Sequence, residues 1–228
     1  MWQAHYQQSR AISSHGQEKC RIGSGGQGWL SLWQTPDMTI RTASALIPLI
    51  PALLANAPAW AQGDPFAGIP NLTVTYYDVA GRTVEGIGRA IRLQGLTDAR
   101  DGKPVDAKAN WWMDWRWDNQ GEGNACRPAN VTVGFHAAII LPRLTDASHL
   151  PSYDRAKWDA YIKALRQHEA NHVRHALDRT GEVAEAIRAS RCDLADGVAK
   201  AIVVRIGEQD AQYDRTTLHG VTEGAVFP

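Results

Sequence analysis

The motif that most constrains this chain is His-Glu-Ala-Asn-His at positions 168–172. Two histidines four residues apart lie on the same face of a helix, one turn from each other. The imidazoles of His168 and His172 can then reach one tetrahedral zinc ion, and Glu169 can accept a proton from water activated by the metal. The same triple arises by chance in roughly one chain of this composition in a hundred, so its context decides its meaning. The hypothesis is a zinc-dependent hydrolase, in the first instance a peptidase.

Length and charge fit one domain of ordinary size with removable or flexible ends. The chain has 228 residues and a formal net charge of zero. No basic patch with interleaved aromatic residues is present, which argues against nucleic acid as a partner. The nine tryptophans suit either a core or the walls of a cleft.

The first 61 residues are predicted to lie outside the fold. Residues 38–61 have the pattern of a signal peptide: a short positive start, an apolar run, and Ala-Trp-Ala at 59–61 as the cleavage site. Pro48 and Pro51 interrupt the run, which is short for a transmembrane span, although an uncleaved anchor is the alternative. Residues 1–37 are Gln-, Ser- and Gly-rich, and we predict that they are disordered and precede the native coding region. The protein is therefore expected to be exported, to the periplasm or the medium, with no stable membrane span after cleavage.

The cysteines support the same compartment. If Met38 is the true start, Cys20 is lost and Cys126 and Cys192 remain in an exported protein. We predict a disulfide between them, with two free buried thiols as the alternative.

Three strands are predicted. A Gly- and Pro-rich extended lead-in at 62–70 precedes a domain that we place at 71–220. Residues 71–78 are rich in β-branched and aromatic side chains and predict the first strand. Residues 110–118 and 130–141 predict two more, paired antiparallel as a hairpin. The tryptophans and methionine of 110–118 fall largely on alternate positions, so that strand should have one buried and one exposed face.

Helices account for the remainder. Thr83 can cap a helix that ends near residue 94. Apolar residues at helical spacing lead from Trp158 into the motif, which therefore lies inside a long helix with a kink at Gly181. Another helix is predicted at about 192–212, followed by a polar irregular segment at 212–220 and a C-terminal tail at 221–228. The predicted fold class is α+β: a small antiparallel sheet packed against two or three helices.

A catalytic zinc ion usually has three protein ligands, and the sequence leaves the third one open. The candidates are Asp178, His175, Glu182 or Glu185, and His219. Asp178 has the offset used in other peptidases with this motif, but a continuing helix would turn it away from the metal. His219 lies in the polar segment and can fold back onto the site, yet it equally fits a surface residue.

The residues in order resemble a bacterial family of predicted secreted zinc-dependent proteases, formally a domain of unknown function. The resemblance covers about 71–220. The shared features are Tyr-Tyr-Asp-Val before a glycine at 76–81, a Trp-rich strand at 111–117, a cysteine before a strand ending in Leu-Pro at 126–142, Trp-Asp at 158–159, the motif itself, a second cysteine at 192, and Tyr-Asp-x-x-Thr-x-His-Gly at 213–220.

This resemblance implies a zincin-like fold, export, a Zn²⁺ cofactor and metallopeptidase activity on a peptide or protein substrate. It also makes His219 the first choice for the third ligand. Asp214, from the same segment, is the alternative, with Asp178 behind it.

In the peptidase mechanism expected for such a site, Glu169 is the general base that takes a proton from water and passes it to the leaving amine. Tyr213 is a candidate stabiliser of the oxyanion, although the sequence does not single out one tyrosine. The strand at 130–141 is a candidate for binding extended substrate by edge pairing. The competing hypotheses are an exported non-catalytic envelope or binding protein with a structural or vestigial zinc site, and a scaffold without metal.

Overall fold

The computed structural model describes residues 63–94, 96–98 and 101–228. The predicted signal peptide and the residues before it lie outside this part of the chain. The described residues form three strands and four α-helices, joined by short loops and 3₁₀ turns. Within these residues, each helix is either too short or too polar to cross a membrane.

The three strands form one mixed sheet in the order β1-β3-β2. They are β1 (Leu72–Val79), β2 (Lys108–Gln120) and β3 (Arg127–Leu144). β2 and β3 pair antiparallel, which confirms the predicted hairpin. β1 pairs parallel with the second half of β3, so the prediction of a purely antiparallel sheet was wrong. The chain between β1 and β3 runs through a helix, a loop and β2, and a connection of this length permits parallel pairing.

The position of β3 corrects part of the expected substrate strand. β3 pairs with β2 along residues 127–140 but with β1 only along residues 137–144. Residues 137–140 therefore have a partner strand on each side and offer no edge, whereas residues 130–136 pair with β2 alone. Within the described residues, β1 and β2 are the outer strands of the sheet.

The predicted alternation in β2 is confirmed. Trp115 is buried and its neighbours at alternate positions, Trp111, Met113 and Trp117, are half-buried. Residues 112, 114, 116 and 118 are all exposed. The tryptophans of the inner face thus contribute to the core and leave one polar face on the sheet.

The helices are α1 (Val84–Leu93), α2 (Ser152–Leu177), α3 (Thr180–Ala189) and α4 (Ala195–Thr217). Thr83 caps α1 as predicted, with its hydroxyl accepting a hydrogen bond from the Gly86 N–H at 3.1 Å. The long motif helix is confirmed as α2, but it ends at Leu177. A turn at 178–179 separates it from α3, so the predicted kink at Gly181 is a break between two helices. The prediction that residues 212–220 are irregular was wrong for the first six, which complete α4.

The core lies between the inner face of the sheet and the helices α2 and α3. Ile139 and Leu141 of β3 are fully buried, as are Val173 of α2 and Val183 and Ile187 of α3. Burying side chains of this size contributes about 1.5–3 kcal/mol each. This packing presses the middle of α2, which carries the motif, against the sheet.

The predicted disulfide is confirmed. Cys126, directly before β3, is bonded to Cys192 in the turn between α3 and α4, with the two Cα atoms 5.5 Å apart. The bond therefore ties the start of the central strand to the approach of α4. Because α4 carries Asp210 and Asp214, which contact His172 of the motif, the disulfide helps to position these two side chains.

Candidate metal centre

The two motif histidines face each other on α2. His168 and His172 are 3% and 6% exposed, and their Nε2 atoms are 3.1 Å apart. This proximity follows from their spacing of one helical turn. Two imidazole nitrogens are thus directed at one buried point.

A carboxylate from α4 reaches the same point. Oδ1 of Asp214 lies 2.9 Å from Nε2 of His172 and 3.4 Å from Nε2 of His168. Ligands about 2.1 Å from a tetrahedral ion lie about 3.4 Å from one another. The three separations here are 3.4, 3.1 and 2.9 Å, so a bound ion would require the atoms to move apart by at most about 0.5 Å. His168, His172 and Asp214 are all buried and together could hold a metal ion.

The other nitrogen of each histidine is held by a second carboxylate. Nδ1 of His168 is 2.7 Å from Oε2 of Glu223, and Nδ1 of His172 is 2.7 Å from Oδ1 of Asp210. In the neutral ring, an Nδ1–H that donates to a carboxylate leaves Nε2 with the lone pair that a metal needs, so a bound cation would displace any proton from Nε2. This pairing is the arrangement found around histidine ligands of zinc.

Further hydrogen bonds fix these two carboxylates. The indole N–H of Trp111 donates to Asp210 at 3.3 Å, and the hydroxyl of Tyr213 donates to Glu223 at 2.8 Å. The Tyr213 ring also stacks on His168, with centroids 5.2 Å apart. Tyr213, the predicted oxyanion stabiliser, therefore lies against the metal-facing histidines.

The charges of the cluster shift the pKa values of its members. Burial lowers the pKa of His172, but hydrogen bonds and charges from Asp210 and Asp214 outweigh it and raise the pKa to about 10. Burial raises the pKa of Asp214, but hydrogen bonds from His168 and His172 outweigh it and hold the pKa well below its usual range. Asp214 is therefore ionised at neutral pH, and the cluster presents a negative oxygen where a cation would lie.

Glu169 lies within the same buried region. Its side chain is 4% exposed, and burial raises the pKa to about 7, against the opposing charges of His172 and His168. Glu169 lines the same cleft as the two histidines. Its low exposure limits its contact with bulk water.

The remaining predicted ligands lie at different distances from this cluster. His219 follows α4, with Nδ1 3.7 Å from Oδ1 of Asp214 and Nε2 3.2 Å from Oδ2 of Asp101. It groups with Asp98 and Asp214 as a second set that could hold a metal ion. Asp178 is exposed at the C-terminal end of α2 and belongs to neither group.

The other candidate ligands make surface contacts. Glu182 lies 3.7 Å from Arg179 and also pairs with Arg205. Glu185 pairs with Arg188 at 2.7 Å, and His175 is half-buried on α2. None of these side chains belongs to a described metal-ligating group.

Sequence reasoning missed Asp210 and Glu223, the carboxylates that contact the Nδ1 atoms of the histidines. The sequence contains a pattern that could have indicated Asp210: it lies four residues before Asp214, and the two share one helix face if the helix extends to Thr217. No such pattern indicates Glu223, because its contact with His168 depends on how residues 221–228 fold back after α4.

A large cleft opens over this cluster. Its volume is about 1390 Å³, and its floor includes His168, Glu169, His172 and Asp214. The cleft is also lined by the first half of β2, including residues 108–113, and by residues of α4 and of the C-terminal segment. The candidate centre and an edge strand therefore line the same cleft.

Together these features define an α+β protein with a buried histidine–aspartate cluster that could hold a metal ion. The chain belongs to a bacterial family of proteins of unknown function, DUF922, whose sequence model matches residues 74–220. The match confirms the resemblance to a bacterial family of that formal description, over nearly the same residues. No protein with a curated description and no solved structure matches the chain.

Proposed function

We propose that this protein is an exported zinc-dependent metallopeptidase that hydrolyses peptide bonds. The observation that carries the proposal is the convergence of His168, His172 and Asp214 beside the buried Glu169, on the floor of an open cleft. Two imidazoles and one carboxylate are a ligand set of known catalytic zinc sites, which keep a further position open.

The proposed chemistry divides between the ion and the chain. Zinc, when bound, supplies a Lewis acid that polarises a carbonyl and acidifies water. Glu169 takes the proton from the attacking water on its carboxylate and delivers it to the leaving amine. Asp210 and Glu223 hold the histidines in the tautomer that can bind zinc. Tyr213 is the candidate hydrogen-bond donor to the developing oxyanion, and in that role its single O–H would turn from Glu223 to the substrate.

The shape of the cleft supports a polypeptide substrate. Its volume of about 1390 Å³ exceeds the roughly 300–1,000 Å³ typical of sites for small molecules. Its wall includes β2, an edge strand whose backbone can pair with an extended peptide. Exposed apolar side chains, including Trp112, Val204 and Val226, are available to contact substrate residues.

Export is part of the proposal. The predicted signal peptide motivates it, and the disulfide between Cys126 and Cys192 supports it because such bonds persist mainly outside the cytoplasm.

Replacing the proposed base tests the reaction. Glu169→Gln should retain zinc, because Glu169 is not among the proposed ligands, and should lower peptide hydrolysis by at least about 100-fold. Glu185→Gln is the matched control, since Glu185 is exposed and pairs with Arg188 at 2.7 Å. Zinc content and cleavage of an unstructured protein such as casein are measured for both variants. Hydrolysis retained in Glu169→Gln would exclude Glu169 as the base.

One observation favours a non-catalytic alternative. His219 Nδ1 is 3.7 Å from the Asp214 oxygen that faces the helix histidines. If His219 moved onto the same ion, four protein ligands would close the coordination, as in structural zinc sites. An exported binding or envelope protein of this kind would hold zinc without turnover, and cobalt substitution would show a site with no exchangeable water.

A further inference from the structure

A second group of ligating side chains lies beside the first and shares one carboxylate with it. Asp98, Asp214 and His219 offer ligand atoms that all lie within 4.8 Å of one another. Asp98 comes from the loop between α1 and β2, whereas Asp214 lies in the last turn of α4 and His219 just after that helix. The two groups meet at Asp214.

The orientation of His219 matches that of the two helix histidines. One of its nitrogens, Nε2, contacts the Asp101 carboxylate at 3.2 Å, and the other, Nδ1, faces Asp214. His168 and His172 likewise each have one nitrogen on a carboxylate and the other toward Asp214. All three imidazoles are therefore arranged with a carboxylate behind and a metal-binding nitrogen in front.

The distance between His219 and Asp214 suits a shared ion better than a direct contact. Nδ1 and Oδ1 are 3.7 Å apart, which is too long for a hydrogen bond. Two ligand atoms, each about 2.1 Å from one ion, can be separated by up to about 4.2 Å. A cation between them is thus compatible with the geometry and offsets the repulsion between the nearby carboxylates of Asp98 and Asp214.

The two groups of ligands differ in exposure, and the more buried group is expected to bind a divalent cation more tightly. His168, His172 and Asp214 are buried, whereas Asp98 and His219 are half-buried. Water therefore competes more strongly for a cation in the second group. A set of one imidazole and two carboxylates suits zinc or manganese better than the softer metals.

We propose that Asp98, Asp214 and His219 form a second divalent-cation site, with Asp214 bridging it to the proposed zinc site. The second cation joins the loop that contains Asp98 to the end of α4, along one side of the cleft. Carboxylate-bridged pairs of this kind occur in hydrolases that use two metal ions. Binding at this site requires the Asp214 carboxylate but does not depend on peptide hydrolysis.

Metal stoichiometry tests the second site directly. The purified full-length chain is freed of metal and dialysed against graded Zn²⁺, and bound zinc is measured by mass spectrometry. We expect two equivalents, with the second bound at least about 10-fold more weakly because its ligands are more exposed. Asp98→Asn and His219→Gln should each retain the tight equivalent and weaken the second by at least about 100-fold, beyond the effect of losing an outer partner alone.

Two control variants separate this test from that of the proposed function. Asp193→Asn changes a surface aspartate that binds Arg191 at 3.0 Å, and it should still bind two equivalents. His172→Ala should lose the tight equivalent, which reports on the first site alone.

One equivalent in the wild-type chain, or two unchanged equivalents in both Asp98→Asn and His219→Gln, would overturn the second site. A single equivalent that weakens in His219→Gln would instead make His219 a ligand of the first metal, and would also overturn it.

Discussion

Each helix histidine uses its two ring nitrogens for different partners. The Nε2 atoms face Asp214, while the Nδ1 atoms contact Glu223 and Asp210 at 2.7 Å. This division determines which nitrogen can carry a proton and which can bind a cation. The chemistry of the centre therefore depends on residues that would not touch the metal.

Asp210 is expected to tune zinc affinity from behind His172. Asp210→Asn replaces a negative acceptor with a neutral amide that can turn its NH₂ group toward Nδ1 and favour the wrong tautomer. Zinc affinity should fall by about 10–100-fold without loss of a ligand. Competition with a chromophoric chelator measures the change. Glu208→Gln, two residues earlier on α4 and also lining the cleft, is the control, and an equal loss there would contradict the role of Asp210.

At this scale, the sequence predicted what is local and missed what is not. The spacing of His168, Glu169 and His172 is set by one helix, so their common position could be derived without coordinates. Asp214 was available only as an alternative to His219, because the choice depends on how α4 approaches α2. Glu223 depends on the path of the last eight residues, for which no periodic pattern exists.

Two helices build the centre with the same spacing. α2 contributes His168 and His172, and α4 contributes Asp210 and Asp214, so that both supply residues four positions apart from facing surfaces. The end of α4 was not predicted as helix because its inner face is polar. Hydrophobic periodicity fails as a signal where a helix packs against a charged site instead of an apolar core.

The residues after α4 have two separable roles. Glu223 holds Nδ1 of His168, and the Phe227 ring packs against Trp158 and Tyr161 at 5.6 and 5.2 Å. Phe227→Ala should lower the free energy of unfolding by about 2–3 kcal/mol, below the full cost for a buried phenylalanine, and leave zinc affinity unchanged. Glu223→Gln should leave the free energy of unfolding of the metal-free protein nearly unchanged and lower zinc affinity by about 10–100-fold. Urea unfolding of metal-free protein and chelator competition measure both, and parallel losses would contradict the division.

The disulfide should make a large contribution to stability. It closes a loop with a sequence separation of 66 residues, which in the chain-entropy model corresponds to about 4 kcal/mol. The double variant Cys126→Ser, Cys192→Ser is expected to unfold at correspondingly lower urea concentration. Alkylation of the unreduced wild-type protein, followed by intact mass measurement, should show neither of these cysteines modified. Modification of both would contradict the bond.

At the scale of the whole molecule, the sequence determined the class and the elements better than their arrangement. The α+β class, the hairpin and the disulfide followed from alternation, turn residues and cysteine count. The parallel pairing of β1 with β3 did not, because periodicity shows which face of a strand is buried but not which strand lies beside it. The edge position of β2, on which the proposed substrate pairing depends, became visible only with the sheet order.

Metal removal should destabilise the entire domain. A ligand that binds only the folded state at 100 times its Kd adds about 2.7 kcal/mol. For a domain of this size, that corresponds to a rise in Tm of about 5–10 °C. Scanning calorimetry with saturating Zn²⁺ and with chelator tests this, and His172→Ala should show a much smaller difference. An equal shift in that variant would mean that zinc binds elsewhere.

Anomalous diffraction at the zinc absorption edge tests the central claim most directly. Crystals of the zinc-loaded protein should give a strong peak among Nε2 of His168, Nε2 of His172 and Oδ1 of Asp214, at about 2.0–2.2 Å from each. The absence of a peak there, or a peak only at a site away from these three residues, would contradict the account.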